Sequence, residues 1–304
     1  MLSENTITTN SIKAWILAAR PKTLSGAAVP VMIGCALAYA DSMSFGDDIF
    51  SFPAAILCML FAFIMQIDAN FINDFIDFAK GTDDCETRLG PKRACAQGWV
   101  TPQAMKHAIA ATTILACMVG LPLVFYGGLE MILIGMICVV FCFLYTTHLS
   151  YMGLGDLLVL VFFGLVPVCI TYYIQLHEFT LELVVASLAC GLVIDTLLLI
   201  NNFRDRDTDK VAGKNTLAVR LGAKNTHQLY LGVGVAANLL GAIFWVEGHI
   251  LAFILPFFYL ALHYLTWLHI KSIWEGRELN KCLGETARNM FVYGLLVTVG
   301  ILLS

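Results

Sequence analysis

Long apolar runs, broken by a few polar connections, dominate the chain. Nine runs lie at roughly 23–41, 51–72, 106–126, 129–147, 156–176, 180–201, 228–246, 250–270 and 288–304. Each approaches the ~20 residues that carry a helix across a bilayer. They lack the polar stripe that recurs every three to four residues on a helix at a soluble surface. The pattern predicts an all-α polytopic membrane protein with nine transmembrane helices, organised as one domain over 1–304. The long polar connections are 73–105, 202–227 and 271–287.

Composition sharpens this picture by exclusion. Apolar residues make up 59% of the chain and charged residues 13%, against about 25% charged in soluble domains. A soluble enzyme, a disordered tail and a secreted disulfide scaffold are excluded. A net charge of −4 gives no electrostatic footprint for nucleic acid. No cleavable signal peptide is expected, because Arg20-Pro21-Lys22 precedes the first run and no small-residue cleavage site follows a short apolar core. Seven of the cysteines lie inside apolar runs and none forms a C-x-x-C pair. They read as small buried hydrophobes.

The basic residues predict orientation. Lys13, Arg20 and Lys22 precede the first run. The other Lys and Arg fall in the second, sixth and eighth connections, which together with the N-terminal segment hold all 18. The remaining connections carry Asp41, Asp47, Asp48, Glu130, Glu178 and Glu247 instead. By the positive-inside rule the N-terminus is cytoplasmic and the C-terminus outside, in the inner cell membrane.

Ionisable groups at membrane depth point to function, because lipid penalises them. They concentrate where the second and sixth runs end, as Asn73-Asp74-Phe75-Ile76-Asp77 and as Asn201-Asn202-Phe203-Arg204-Asp205 running on to Asp209. Asn70, Asp74 and Asp77 recur at i, i+4 and i+7, and Asn202, Asp205 and Asp209 at i, i+3 and i+7, so each set is predicted to share a helix face. The similarity of the two segments is compatible with two related halves and equally with a chance match forced by polarity. Opposed carboxylates repel unless a cation lies between them. An all-oxygen ligand set suits Mg²⁺. Lys80, Arg88, Lys92 and Arg93 follow the first motif, and Arg204, Arg206, Lys210 and Lys214 surround the second. Carboxylates with cations inside lipid describe a site for an amphiphilic diphosphate held through metal. The plain alternative, helix ends solvated by mixed charge, accounts for Asp83, Asp84, Glu86 and Asp207 but poorly for two one-faced Asn/Asp sets.

At these residues the chain resembles the UbiA superfamily of intramembrane prenyltransferases, which is marked by one Asp-rich motif after helix 2 and another after helix 6. Within it, four stretches are similar to the menaquinone-pathway branch that prenylates 1,4-dihydroxy-2-naphthoate: A-R-P-K-T-L at 19–24, Q-I-D-A-N-F-I-N-D-F-I-D-F-A-K-G-T-D at 66–83, R-L-G-P-K-R-A at 88–94 and G-K-N-T-L-A-V-R-L-G at 213–222. Two departures stand out, Tyr145-Thr146-Thr147-His148 where a Gly-Pro pair often follows Tyr-Thr, and Asp68 where a small or neutral residue is usual.

The resemblance implies a ring of nine helices around a cavity. It implies that Asp74, Asp77, Asp205 and Asp209, aided by Asn70, Asn73, Asn201 and Asn202, hold Mg²⁺ on a polyprenyl diphosphate, with Lys80, Arg88, Arg93 and Arg204 adding hydrogen bonds. The prenyl group then passes to 1,4-dihydroxy-2-naphthoate with loss of CO₂ and diphosphate, giving demethylmenaquinol. Phe71, Tyr145 and Phe162 are candidates to stabilise the allylic cation through their ring faces, and Tyr145 equally reads as an interfacial tyrosine. Arg20 and Lys22 read equally as ligands of the acceptor carboxylate and as topology anchors. Two alternatives stay open: a different aromatic acceptor (4-hydroxybenzoate, haem or a chlorin), and a transporter of phosphorylated lipid.

Overall fold

The computed structural model describes residues 7–44, 49–81, 88–149 and 151–304. Asp47, Asp48, Asp83, Asp84 and Glu86 lie outside the described residues. Among the described residues there is helix and no strand.

A short helix that the apolar runs do not mark comes first: α1, Ile12–Ala19. Ser11 starts it by accepting from the Ala14 amide at 3.3 Å. Arg20 ends it in the left-handed region (φ 51°, ψ 67°). The chain then turns through Pro21–Thr23 into α2, Leu24–Ser44. The remaining helices are α3 (Phe52–Ala79), α4 (Pro102–Gly127), α5 (Glu130–Thr147), α6 (Gly155–Leu176), α7 (Leu181–Val211), α8 (Leu217–Val246), α9 (Ile250–Ile273) and α10 (Leu279–Leu302).

Each expected span coincides with one of α2–α10, overrunning it by at most one or two residues at an end. Eight stretches, from Ile12–Ser44 to α9, are long and apolar enough to cross a membrane. α10 has the length, 24 residues, but its first turns carry Asn280, Lys281, Glu285, Arg288 and Asn289. α3 and α7 outrun their apolar stretches. At 28 and 31 residues they extend about 42 and 46 Å, well beyond a hydrocarbon core of about 30 Å. The polar motifs therefore ride on continuous helix.

From α2 onward the helices pack in chain order, each against the next, α10 closes back on α2, and α1 lies on α3. α2 also packs against α6 and α7, and this inner group, with α9 and α10 against it, holds the main core, with Val29, Ile33, Leu37, Val168, Tyr172, Val193, Tyr259 and Tyr293 buried. α6 and α7 approach closely because both contribute glycine: a Cβ on Gly164 would stand 2.6 Å from the Ser187 carbonyl oxygen and 2.8 Å from Gly191 Cα. α4 and α5 form a thinner wall. Ile114, Leu115, Met118 and Leu133 on them are exposed and lie off the cavity described below, as side chains do where lipid is the solvent.

Candidate active site

Between α2–α7 lies a cavity of about 1410 Å³, bordered also by the 88–93 connection and the first turns of α10. Its walls along α4, α5 and α6 are apolar, with Leu123, Val124, Met131, Val139, Phe141, Phe162 and Ile170 among them. At the end where α3 and α7 outrun their apolar stretches the lining changes to Asn73, Asp77, Asn201, Asn202, Asp205, Thr208 and Asp209. Arg20, Lys22, Arg88, Lys92, Arg93 and Lys214 line the same cavity. Among the described residues, six cations thus face three carboxylates. A surplus of positive charge beside low-dielectric walls favours an anion with an apolar tail.

The expected shared face of Asn70, Asp74 and Asp77 divides. Gln66, Ala69, Asn73 and Asp77 follow one helix face into the cavity. Asn73 accepts from the Thr146 hydroxyl at 2.7 Å, and Asp77 accepts from Arg93 at 3.1 Å. Asp74 sits one step round the helix, fully buried. Its two oxygens accept from the Ala94 and Cys95 amides at 2.7 and 2.8 Å, and Arg20 stands 3.9 Å away. Asn70 donates to the Ala19 carbonyl at 3.0 Å and to the Thr23 hydroxyl at 2.9 Å. Asn70 and Asp74 therefore hold the backbone that presents Arg20, Lys22 and Arg93, instead of lining the cavity themselves.

The second motif keeps its expected face, since Asn202, Asp205 and Asp209 all line the cavity. Arg204 is buried behind this lining and is not itself part of it. Its guanidinium donates to both oxygens of Asp205 at 2.8 and 2.6 Å, to Asn201 at 2.8 Å and to Asn280 at 2.8 Å. Asn280 in turn donates to the Leu89 carbonyl at 2.8 Å, tying α10 to the first connection. Gly90 permits this approach, because a Cβ there would stand 2.6 Å from the Arg204 guanidinium. Asp209 stands 3.8 Å from Lys214.

Lys80 also lies off the cavity. It donates to the Thr147 carbonyl at 2.8 Å and stands over the Tyr151 ring at 4.3 Å, so it caps the end of α5. Tyr145 lines the cavity at the start of the π-helical turn Tyr145–Leu149. Phe162 lines it too, with Phe141 at 4.9 Å between ring centroids, whereas Phe71 packs against Trp15. Sequence reasoning did not single out Gln66, Thr208 or Asn280, and did not rank Lys214 above its neighbours. Lys214 lies in the quoted 213–222 stretch, the one signal that marks it.

The lining suits a hard cation in one particular way. At the polar end its uncharged and acidic donors are oxygens from Asp, Asn and Thr, and among the described residues no three cavity carboxylates come within 4.8 Å of one another. Mg²⁺ ordinarily keeps waters and takes one or two carboxylates plus phosphate oxygens, so Asp77 on α3 and Asp205 with Asp209 on α7 are the residues that would hold it.

A helical membrane protein with a charged, half-apolar cavity is the class that the fold and site define. The UbiA prenyltransferase family model matches residues 27–292, and the chain belongs to that family. It is 37% identical to the 1,4-dihydroxy-2-naphthoate octaprenyltransferase of Escherichia coli over 230 residues, 72% of this chain and 71% of that protein. It is 32% identical to the Haemophilus influenzae enzyme of the same name, across 96% of each. In fold it is similar to the UbiA homolog of Archaeoglobus fulgidus bound to GPP and Mg²⁺, with TM-score 0.65 and 15% identity, over 94% of this chain and 99% of that one.

Proposed function

We propose that the chain transfers a polyprenyl group from polyprenyl diphosphate to 1,4-dihydroxy-2-naphthoate with loss of CO₂ and diphosphate, giving demethylmenaquinol. Relatives over most of the chain support the acceptor, since those from E. coli and H. influenzae carry that activity in their names. The observation that carries the reading is the juxtaposition of three carboxylates and six cations with apolar walls in one cavity.

Asp77, Asp205 and Asp209 are the metal ligands in this reading, with Asn73, Asn201 and Asn202 beside them. Bound Mg²⁺ supplies Lewis acidity and neutralises charge on the leaving diphosphate. Arg88, Arg93 and Lys214 donate to the remaining diphosphate oxygens. Arg204 fixes Asp205 and so aims it. The allylic C–O bond breaks with its electron pair on the diphosphate, the electron-rich ring attacks the prenyl cation, and the ring carboxyl departs as CO₂. The walls from α4, α5 and α6 exclude water from that cation. Tyr145 and Phe162 present ring faces to it. Arg20 and Lys22, beside the motif on the α1–α2 elbow, hold the acceptor carboxylate. The protein works in the inner cell membrane with its N-terminus, and the cavity mouth, on the cytoplasmic side.

The test is an assay of purified protein with each aromatic acceptor and a series of prenyl diphosphates, read by mass spectrometry of the lipid product. Decarboxylated, prenylated naphthoquinol formed only from 1,4-dihydroxy-2-naphthoate is expected. Product from 4-hydroxybenzoate alone, or transport of the diphosphate without any product, contradicts the reading.

A further inference from the structure

Away from the cavity, α9 and α10 bring together a second set of ligand-type side chains. Cys282 and Glu285 lie at i and i+3 on α10, so they share a face, and His269 on α9 points at that face. His269 Nδ1 and Glu285 Oε1 are 2.9 Å apart. These two atoms and Cys282 Sγ all lie within 4.8 Å of one another. In a tetrahedral zinc site the ligand atoms stand about 3.3–3.6 Å apart, as bond lengths of about 2.0–2.3 Å require, so small side-chain adjustments close the site. The His269 and Glu285 side chains are 37% and 29% exposed, while Cys282 is fully buried beneath them. That arrangement gives an ion a route in from the surface and a dry sulfur to end on. A hydrogen bond between His269 and Glu285 accounts for two of the groups; the Cys282 sulfur stands within 4.8 Å of a ligand atom of each.

We propose that Cys282, His269 and Glu285 form a site for a borderline-soft divalent metal of the Zn²⁺ class, separate from the oxygen-lined cavity. Ligand type makes the division: thiolate and imidazole suit Zn²⁺ and not Mg²⁺, while the carboxylates of the cavity suit the hard, abundant Mg²⁺. Binding releases the thiol proton and takes neutral imidazole through Nδ1, leaving the remaining ring proton on Nε2. Three protein ligands leave a fourth position for water. The metal clamps α9 to the first turns of α10, within a turn and a half of Asn280, whose side chain holds Arg204 and the Leu89 carbonyl. The clamp therefore fixes the segment that braces the second acidic motif.

Co²⁺ titration of untagged protein in detergent, with Mg²⁺ in excess, tests this directly. The expected result is one Co²⁺ per chain with a thiolate-to-cobalt charge-transfer band and strong tetrahedral d–d bands, all displaced by Zn²⁺. Cys282→Ser should abolish the charge-transfer band. His269→Gln and Glu285→Gln should weaken binding at least about 100-fold, since even loss of a residue that only supports a ligand costs 10–100-fold. Retained prenyl transfer shows that each variant is folded. His269 is partly exposed, so its variant decides the matter if Cys282→Ser fails to fold. Absence of the band in active wild-type protein, a band that survives Cys282→Ser, or unchanged affinity in His269→Gln overturns the proposal.

Discussion

The two acidic motifs look alike in sequence and differ in how they are held. Asn73-Asp74-Phe75-Ile76-Asp77 aligns with Asn201-Asn202-Phe203-Arg204-Asp205. At the last position of each, a carboxylate lines the cavity with a guanidinium on it: Arg93 on Asp77 at 3.1 Å and Arg204 on Asp205 at 2.6 Å. The partner of the first comes from a neighbouring connection; that of the second is the adjacent residue on its own helix. At the second position the motifs part. Asp74 binds two backbone amides of the 88–100 segment, while Asn202 lines the cavity. The first motif must order a connection before Arg93 can reach the cavity, and one of its carboxylates is given to that task. The second motif carries its guanidinium on its own helix, steadied by Asn280 of α10, and its carboxylates at 205 and 209 both line the cavity. Carboxylates in one motif thus have unequal roles, set by which peptide groups need a partner.

Four variants sharpen this contrast, from the largest effect to the smallest. Asp205→Ala should reduce turnover about 10²–10³-fold, the range seen when one preorganised group opposing transition-state charge is lost. EDTA should abolish activity in the parent protein, and Mg²⁺ should restore it. Next, Arg93→Ala should raise the apparent KM for prenyl diphosphate about 10–100-fold, on the order of 1.4–2.7 kcal/mol. Added Mg²⁺ should not rescue it, because a bidentate donor has no substitute in a cation. A variant rescued by Mg²⁺ equally well at Arg93 and at Asp205 breaks the division between metal ligands and direct donors. Asp74→Ala should lower stability by about 2–3 kcal/mol, as two buried amides lose a charged acceptor, read as earlier thermal inactivation in detergent. Asn70→Ala should lower stability by about 1 kcal/mol with little change in KM. If instead Asn70→Ala cuts turnover as deeply as Asp205→Ala, Asn70 belongs to the cavity and the helix face is misassigned.

Much of this was legible in the chain. Apolar runs located the long helices because lipid demands them nearly unbroken. Their ends were less legible: α7 continues to Val211 through residues too polar for a span, since a helix can project into water. α1 was missed because eight residues make too short a run to register against the topology-setting charges around them. The i, i+4, i+7 spacing identified a face without saying what it meets. Asn73 and Asp77 turned to the cavity, and Asn70 and Asp74 to the α1–α2 elbow and the 88–100 segment, a partner that only tertiary packing supplies. Asp68 stood out as an intruder at membrane depth. It proves to accept from the Thr112 and Thr113 hydroxyls at 2.5 and 2.7 Å, so it pins α3 to α4. The resemblance implied hydrogen bonds from Lys80 and Arg204 to the diphosphate; Lys80 donates to the Thr147 carbonyl and Arg204 to Asp205, partners that charge and motif position do not reveal.

The central claim is that Asp209 holds metal at the cavity while Asp74 holds backbone. It is tested most directly by measuring turnover against Mg²⁺ concentration in Asp209→Asn and Asp74→Asn, side by side with the parent protein and at a temperature where both are folded. A lost ligand lowers metal affinity, and mass action refills a site that still exists. The account predicts that Asp209→Asn needs roughly tenfold or more Mg²⁺ for half-maximal rate and recovers as Mg²⁺ is raised, in line with the ≥10-fold loss expected when a metal's surroundings are cut. It predicts that Asp74→Asn keeps the parent's Mg²⁺ midpoint with a lower plateau. A shifted midpoint in Asp74→Asn together with an unshifted one in Asp209→Asn would contradict it.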